Sequence, residues 1–235
     1  MKKVLISLAA LCLMAALPAQ AQIKFGIKAG ANISSLSGDK NAMIDEIKNA
    51  AHYHAGFLVQ YSLGNFAIQP EMLLSTQGAE LVNDGTSQAL NLYSAATGES
   101  VPNNFTLKTT YLEIPVNLQY GIEVGGMARV FVQAGPYASL LLSDEMEGAE
   151  SFYEKYKEYA GELSQDGGTA QFVNKFDYGV GVGAGIEVLF MQLSVKYDFS
   201  LAEFQEITSK IGNVDMNLMS GLKNRNLNIS LAFMF

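Results

Sequence analysis

The stretch that decides the fold is the end of the chain, Leu227-Asn228-Ile229-Ser230-Leu231-Ala232-Phe233-Met234-Phe235. Every odd position carries Leu, Ile or Phe, whereas the positions between them carry Asn, Ser, Ala and Met. Successive side chains of a β-strand point to opposite faces, so this period of two predicts a strand with two unlike faces. A soluble domain seldom ends on an exposed apolar strand. The pattern is typical of a membrane-spanning β-barrel, whose outer face meets lipid and whose aromatic side chains lie at the membrane interface.

Seven upstream segments show the same alternation of large apolar with small or polar residues. They are residues 24–32, 53–62, 66–75, 112–120, 130–140, 176–188 and 191–200. With the last strand they predict an all-β, antiparallel, up-and-down transmembrane barrel of about eight strands, within the even numbers that bacterial outer-membrane barrels use. A soluble barrel with its apolar face inward is the alternative. The polar face argues against it, because it carries mainly Gly, Ser, Asn, Gln and Ala rather than the Lys and Glu of a solvated surface.

The connections between these segments alternate in length. Short turns are predicted at residues 64–65, 121–128 and 189–190, and long loops at residues 34–52, 77–107, 143–175 and 202–224. Short periplasmic turns and long extracellular loops are the outer-membrane pattern. Apolar residues at helical spacing predict short helices in the long loops that cap the mouth of the barrel. These residues are Met43, Ile44, Ile47 and Ala51, then Phe152, Tyr156 and Leu163, then Phe204, Ile207 and Ile211. Alternatively, Tyr153, Tyr156 and Tyr159 form a recognition surface for an extracellular protein or glycan.

The beginning of the chain predicts a targeting segment rather than part of the fold. Lys2 and Lys3 precede an apolar run at residues 4–17, which is followed by the small-x-small sequence Ala19-Gln20-Ala21. This is the order of a cleaved secretory signal peptide. We therefore expect a signal peptide at residues 1–21 and an outer-membrane β-barrel domain at residues 22–235. Cleavage would remove Cys12, the one cysteine of the sequence, and leave a mature chain without thiol chemistry.

The composition fits a membrane barrel better than a soluble domain. Hydrophobic residues make up 49% of the sequence and charged residues only 16%, whereas a typical soluble domain has about 25% charged residues. A barrel whose outer face meets lipid needs few charges, so we expect the protein in the cell outer membrane. The net charge of −8 argues against nucleic acid as a partner, because binding to phosphates requires a basic surface.

Several segments of the sequence resemble the PorT-like outer-membrane β-barrel family. They are Phe25-Gly26-Ile27-Lys28-Ala29-Gly30-Ala31-Asn32, Tyr111-Leu112-Glu113-Ile114-Pro115-Val116, Gly135-Pro136-Tyr137, residues 177–187 and Asn224-Arg225-Asn226-Leu227. The resemblance extends over essentially the whole mature chain, and its most specific element is the Tyr-Leu-Glu-Ile-Pro segment. It implies an outer-membrane barrel with no shared catalytic motif. The founding member's association with a secretion system is not carried over to this chain.

The two histidines, His52 and His54, are candidate chemical groups. We expect them to point to opposite faces of one strand, so that they do not chelate a metal together and only His54 faces the lumen. His54 at the rim beside a hydroxyl such as that of Ser75 would suit an enzyme acting on lipid or a surface polymer. A histidine in a polar layer is the favoured interpretation. The glycines from Gly179 to Gly185 make room for bulky neighbours, because the run lacks the spacing of a phosphate-binding loop and a helix after it.

Charged residues on the lumenal face predict an ion-pair layer. The set that falls at similar heights in the barrel is Lys28, Glu71, Glu113 and Lys196. Buried charges must be paired, so we expect at least one direct contact between a lysine and a glutamate of this set, closing the lumen. A pore for small solutes is the less favoured alternative, since about eight strands enclose a lumen only wide enough for side chains.

The sequence therefore favours a non-enzymatic outer-membrane barrel with a plugged lumen and no cofactor or metal. Such a protein would act structurally or bind a partner through its extracellular loops. The expected partners are the lipid of the outer membrane, an extracellular protein or glycan, and the barrel-assembly machinery. That machinery would engage the C-terminal strand, residues 227–235.

Overall fold

The computed structural model describes residues 22–37, 46–82, 104–147, 174–202, 209–211, 214–216 and 223–235. Most of these residues lie in β-strands that form one closed sheet. The strands of this sheet are β1 (Gln22–Ser37), β2 (Glu46–Leu63), β3 (Phe66–Val82), β4 (Asn104–Val124), β5 (Ala128–Glu147), β6 (Phe176–Val188), β7 (Met191–Ser200) and β10 (Lys223–Met234). Two further short strands, β8 (Ser209–Ile211) and β9 (Val214–Met216), pair with each other.

The main sheet closes into a barrel because its first and last strands pair. The strand order around the ring is β1-β10-β7-β6-β5-β4-β3-β2, and every neighbouring pair is antiparallel. The β1–β10 register runs from the pair Gly26–Met234 to the pair Ser37–Lys223. Beyond it, the backbone N–H of Phe25 donates to the carbonyl of Phe235 at 2.9 Å, and the N–H of Phe235 donates to the carbonyl of Phe25 at 2.8 Å. The predicted eight-stranded barrel is confirmed.

The alternation of side chains sorts the strands into an outer and a lumenal face. On β10, Ile229, Leu231 and Phe233 point outward and are exposed, whereas Asn228 and Ser230 point into the lumen and are buried. The same alternation runs through β6 and β7. The facing predicted from the period of two is therefore correct for these strands. Among the residues that the structure describes, none form a helix long and apolar enough to cross a membrane.

The barrel has two unlike ends, which we call the base and the mouth. The base holds Gln22, Phe235 and the tight turns after β2, β4 and β6. The turn after β4 occupies only residues 125–127, shorter than the predicted 121–128. Gly125 and Gly126 have φ angles of 64° and 75°, a left-handed conformation that glycine adopts without strain. Two glycines in this conformation reverse the chain at once and let both strands continue to the turn.

The connections at the mouth are shorter than predicted. Strands β1 to β5 extend beyond the predicted limits toward the mouth. Strand β1 ends at Ser37, β2 begins at Glu46 and β4 begins at Asn104. The helix expected over residues 43–51 is wrong, because residues from Glu46 onward are extended and paired with β3. The helix expected over residues 204–211 is also wrong at its end, since residues 209–211 are β8. The helix over residues 152–163 and the tyrosine surface of Tyr153, Tyr156 and Tyr159 lie outside the described residues.

The glycines of β6 make room for two rings of β5. Phe131 and Tyr137 lie directly opposite Gly185 and Gly179 in the ladder. A Cβ atom at Gly185 would come within 2.5 Å of the Phe131 ring, and one at Gly179 within 2.8 Å of the Tyr137 ring. A larger residue at either position would collide with these buried rings. Gly183, the third of the four glycines in the run, instead faces the backbone and Cβ of Lys196 on β7.

Arginine on the outer face tests the orientation of the strands. Val182, Val195 and Leu231 are 48%, 45% and 39% exposed and lie away from both ends of their strands. Their replacement by Arg should destabilise the folded barrel by about 2–4 kcal/mol each, because each guanidinium would enter the hydrocarbon region. The matched control is Met127→Arg, since Met127 is 70% exposed in a turn at the base. Urea titration of the barrel in lipid vesicles measures the difference, and equal stability of all four variants would contradict the assignment of the faces.

Candidate functional site

The candidate site is the lumen, whose lining is polar and buried. The four residues predicted to form the ion-pair layer all lie there, each at most 4% exposed: Lys28, Glu71, Glu113 and Lys196. They come from β1, β3, β4 and β7 respectively. Strands on both sides of the barrel therefore contribute charges to one interior.

Lys28 and Glu71 form a close ion pair. The Lys28 Nζ atom donates to Glu71 Oε2 at 2.8 Å and to Oε1 at 2.9 Å. The Glu71 Oε1 atom also accepts the side-chain amides of Gln69 at 2.8 Å and Asn117 at 3.0 Å. Three donors on one carboxylate replace the water that this group lost on burial, which is the condition for a buried charge to be tolerated.

Lys196 lies between two carboxylates. Its Nζ atom is 3.1 Å from Asp198 Oδ1 and 3.8 Å from Glu113 Oε1. Glu113 also accepts the amide of Gln77 at 3.2 Å. The nearer partner, Asp198, was missing from the predicted layer although it is two residues away on the same strand. The alternation of β7 does predict that Asp198 faces the lumen. The predicted layer omits it because partners for Lys196 were chosen by their height in the barrel.

A second group of charges lies nearer the base. Lys24 contacts Glu187, and the Arg129 Nη1 atom is 3.6 Å from the other oxygen of that carboxylate. Above them, amide side chains bond to one another across the lumen; the group is Gln60, Gln69, Gln119 and Gln192. The alternation in the sequence places these glutamines on the polar, lumenal face of four strands, but it does not predict that they bond to one another. Arg129 falls outside the predicted strand, which begins at residue 130, so the sequence analysis missed it as a lumenal residue.

An apolar cluster and an acidic residue also contribute to the lumen. Leu58, Ala232 and Met234 are buried together, and the ladders place Ala232 opposite Lys28 and Leu58 opposite Glu71. Near the mouth, Asp177 accepts the hydroxyl of Tyr137 at 3.3 Å and the hydroxyl of Ser200. Apolar packing therefore lies beside the Lys28–Glu71 pair, and hydrogen-bonded side chains lie near the mouth.

His54 is buried in the lumen and hydrogen-bonded on both ring nitrogens. Its Nε2 atom is 2.9 Å from the Ser230 hydroxyl and its Nδ1 atom 2.5 Å from the Asn32 side-chain oxygen. Ser75, the expected neighbour, instead accepts the Asn32 amide at 3.1 Å. Gly30 makes this arrangement possible, because a Cβ atom there would lie 2.7 Å from Nε2.

The expectation that His52 and His54 point to opposite faces is wrong. Residues i and i+2 of a strand share a face, and the ladder places His52 and His54 opposite Asn32 and Gly30 of β1. Within the described residues, no group of three or more His, Cys, Asp or Glu side chains could hold a metal ion.

Removal of the Lys196 charge tests the pairing inside the lumen. Lys196→Met should lower the free energy of unfolding by about 3–5 kcal/mol, because it leaves buried carboxylates without their cation. Adding Asp198→Asn should recover part of that loss, since it removes the nearer carboxylate. Lys108→Met is the matched control: Lys108 forms partly exposed pairs with Glu145 at 3.9 Å and Glu147 at 3.6 Å, worth about 0–1 kcal/mol. Equal losses for the two lysine variants in urea titrations would overturn the pairing.

The chain is similar to one family of known proteins and to several solved structures. The fold is similar to that of Neisserial surface protein A, at 11% identity and a TM-score of 0.40, covering 90% of this chain and 97% of that one. It is also similar to Ail of Yersinia pestis, at 11% identity and a TM-score of 0.39, covering 91% and 99%. A search of curated proteins finds no match. The family model described as outer membrane protein beta-barrel domain matches residues 18–206. The chain belongs to this family and is an outer-membrane β-barrel protein.

Proposed function

We propose that the protein is a non-enzymatic barrel with a plugged lumen, which acts structurally or binds a partner through its extracellular loops. The observation that carries the plug is one hydrogen bond across the full width of the barrel. Gln69 on β3 and Gln192 on β7 are four strands apart in the ring of eight, and their side-chain amides bond at 3.1 Å. Direct contact between opposite walls supports a lumen that is filled by side chains.

Further contacts also cross the lumen. Gln60 on β2 donates to Glu187 on β6 at 3.4 Å, again between strands four apart in the ring. The Lys196 contact with Glu113 joins β7 to β4. A lumen of this strand number is only wide enough for side chains, and here oppositely charged and amide groups meet inside it. Opening a path for ions would require several of these contacts to break together.

The plug predicts that the folded protein does not conduct. In planar bilayers at neutral pH, the wild type should give no steady current under conditions in which a water-filled porin, as positive control, conducts. The reason is that every ion would have to displace paired side chains from the lumen and give up its own hydration there. Steady, ion-selective conductance from the folded wild type would overturn the plug and favour the small-solute pore.

We place the binding function at the mouth and the assembly contact at the C-terminal strand. The long connections of the sequence all leave the barrel at the mouth, where an extracellular protein or glycan could reach them. The barrel-assembly machinery would bind residues 227–235, whose outer side chains form an uninterrupted apolar row. The Tyr111–Val116 motif, which supplies Glu113 to the lumen, supports the PorT-like branch of the family. Crosslinking from the loops in intact cells, followed by identification of the captured molecules, tests whether a partner binds there.

The contact between His54 and Ser230 favours the enzyme as a second candidate. The side-chain oxygen of Asn32 contacts the imidazole of His54, which in turn contacts the hydroxyl of Ser230. In such an arrangement the imidazole can activate the hydroxyl as a nucleophile. Against it, His54 and Ser230 are each 3% exposed, so a lipid or polymer substrate would have no access to the hydroxyl.

An assay for hydrolysis separates the two candidates. The folded wild type, incubated with labelled phospholipid or lipopolysaccharide, should release no labelled product, because the hydroxyl of Ser230 is enclosed. Ser194→Ala is the matched control for Ser230→Ala, since Ser194 is an equally buried lumenal serine on β7. Product released by the wild type and by Ser194→Ala but lost in Ser230→Ala would establish the enzyme instead.

A further inference from the structure

The outer wall of the barrel carries an apolar groove of about 960 Å³ across β10, β1, β2 and β3. Ala29 and Ala55 form its floor. Its walls are the larger side chains Phe57, Met72, Leu231 and Phe233. All six residues point outward, on the face that meets the membrane. The groove is therefore a depression in the lipid-facing surface and is separate from the lumen.

Small residues at matching positions of adjacent strands create the depression. Ala29 lies directly opposite Ala55 in the β1–β2 ladder and directly opposite Leu231 in the β1–β10 ladder. Phe57 and Met72 are likewise opposite each other on β2 and β3. Two alanines side by side lower the surface, and the larger pairs on either side rise above it. Side-chain size across paired strands thus sets the shape of the groove.

The position of the groove along β2 places it at the depth of the hydrocarbon. Ala55 and Phe57 lie between Tyr53 toward the mouth and Tyr61 toward the base, on the same face of the strand. Tyrosines of outer-membrane barrels concentrate at the two interfaces, and the band between them faces acyl chains. The groove therefore opens to the interior of the bilayer rather than to the headgroups.

The chemistry of the groove excludes directional contacts. The backbone groups of its floor are used in the β10–β1–β2 ladders, and the ammonium of Lys28, whose backbone adjoins the groove, is turned inward to Glu71. An occupant would find dispersion contacts only, with no hydrogen-bond donor and no charge. A flexible saturated chain can follow such a depression, and the membrane supplies it at this depth.

We propose that the groove holds one acyl chain of an outer-membrane lipid, bound longer than the chains around the rest of the barrel. The binding site is continuous with the lipid-facing surface, so the chain enters sideways from the bilayer. Its headgroup remains at the interface, outside the groove. Recognition depends on shape, and the two alanines are the residues that a larger side chain would most directly disturb.

Photolabelling tests the proposal with the intact barrel. The protein is reconstituted in vesicles of phosphatidylethanolamine that contain a fraction of the same lipid with a diazirine in the middle of one acyl chain. After irradiation, peptides are analysed by mass spectrometry. Labels should concentrate on the segments that contain Ala55, Met72 and Leu231, and Ala55→Phe should abolish this concentration because the ring fills the floor.

Matched variants keep the test decisive. Ala184→Phe is the control, since Ala184 is a small outward residue on β6, away from the groove; it should leave the labelling unchanged. Ala29→Phe serves as a second test from the facing strand if Ala55→Phe does not fold, as judged by the mobility of the unheated protein on gels. Labels spread evenly over all outward strands, or labelling insensitive to both groove variants, would overturn the proposal. Crosslinked dimers through the groove would overturn it in favour of a second copy of the chain.

Discussion

The pairing of β1 with β10 is the constraint on which the structure depends. In a bilayer no water satisfies an unpaired N–H or C=O, so a sheet can span it only when its two edges meet. Here the meeting edges belong to the first and last strands of the barrel, and their ladder continues to hydrogen bonds between Phe25 and Phe235. The terminal strand therefore cannot be shortened or turned over without exposing two rows of backbone groups to lipid. Its strict alternation follows from having lipid on one side and the lumen on the other.

Closure at eight strands also determines what the lumen can contain. The ring is narrow enough for Gln69 to reach Gln192 on the opposite wall, so a buried charge must find its partner among other side chains. Lys28 meets this requirement with Glu71, and Lys196 with Asp198 and Glu113. Where rings occupy the interior, the facing strand carries glycine, as in the Phe131–Gly185 pair. The number of strands thus determines both which lumenal side chains must be paired and how large they can be.

The sequence predicted the faces of the strands better than their ends or their contacts. Period two is strong wherever lipid lies on one side, and it identified the outward residues of β6, β7 and β10. Beyond the membrane both faces meet water, so the alternation fades. The sequence therefore predicts loops at residues 104–107 and 143–147, which belong to β4 and β5 in the structure. Partner choice was harder still, because it depends on strand stagger. A comparison of heights in the barrel predicts Glu113 as a partner of Lys196 but omits Asp198, which is the nearer carboxylate. The prediction that His52 and His54 point to opposite faces fails for another reason. Residues i and i+2 of a strand share a face, so the correct orientation follows from the sequence alone.

A wall one residue thick gives the barrel two nearly independent surfaces. On β1, Lys28 points inward to Glu71 whereas its neighbour Ala29 points outward to the floor of the groove. On β2, His54 and Ala55 divide in the same way. A change at an outward position alters contact with lipid while the ion pairs and amide bonds of the lumen keep their partners. A change at an inward position disturbs a crowded interior in which each group already has a neighbour. A change on the outer face therefore leaves the lumenal contacts in place, whereas a change in the lumen affects contacts that several strands share.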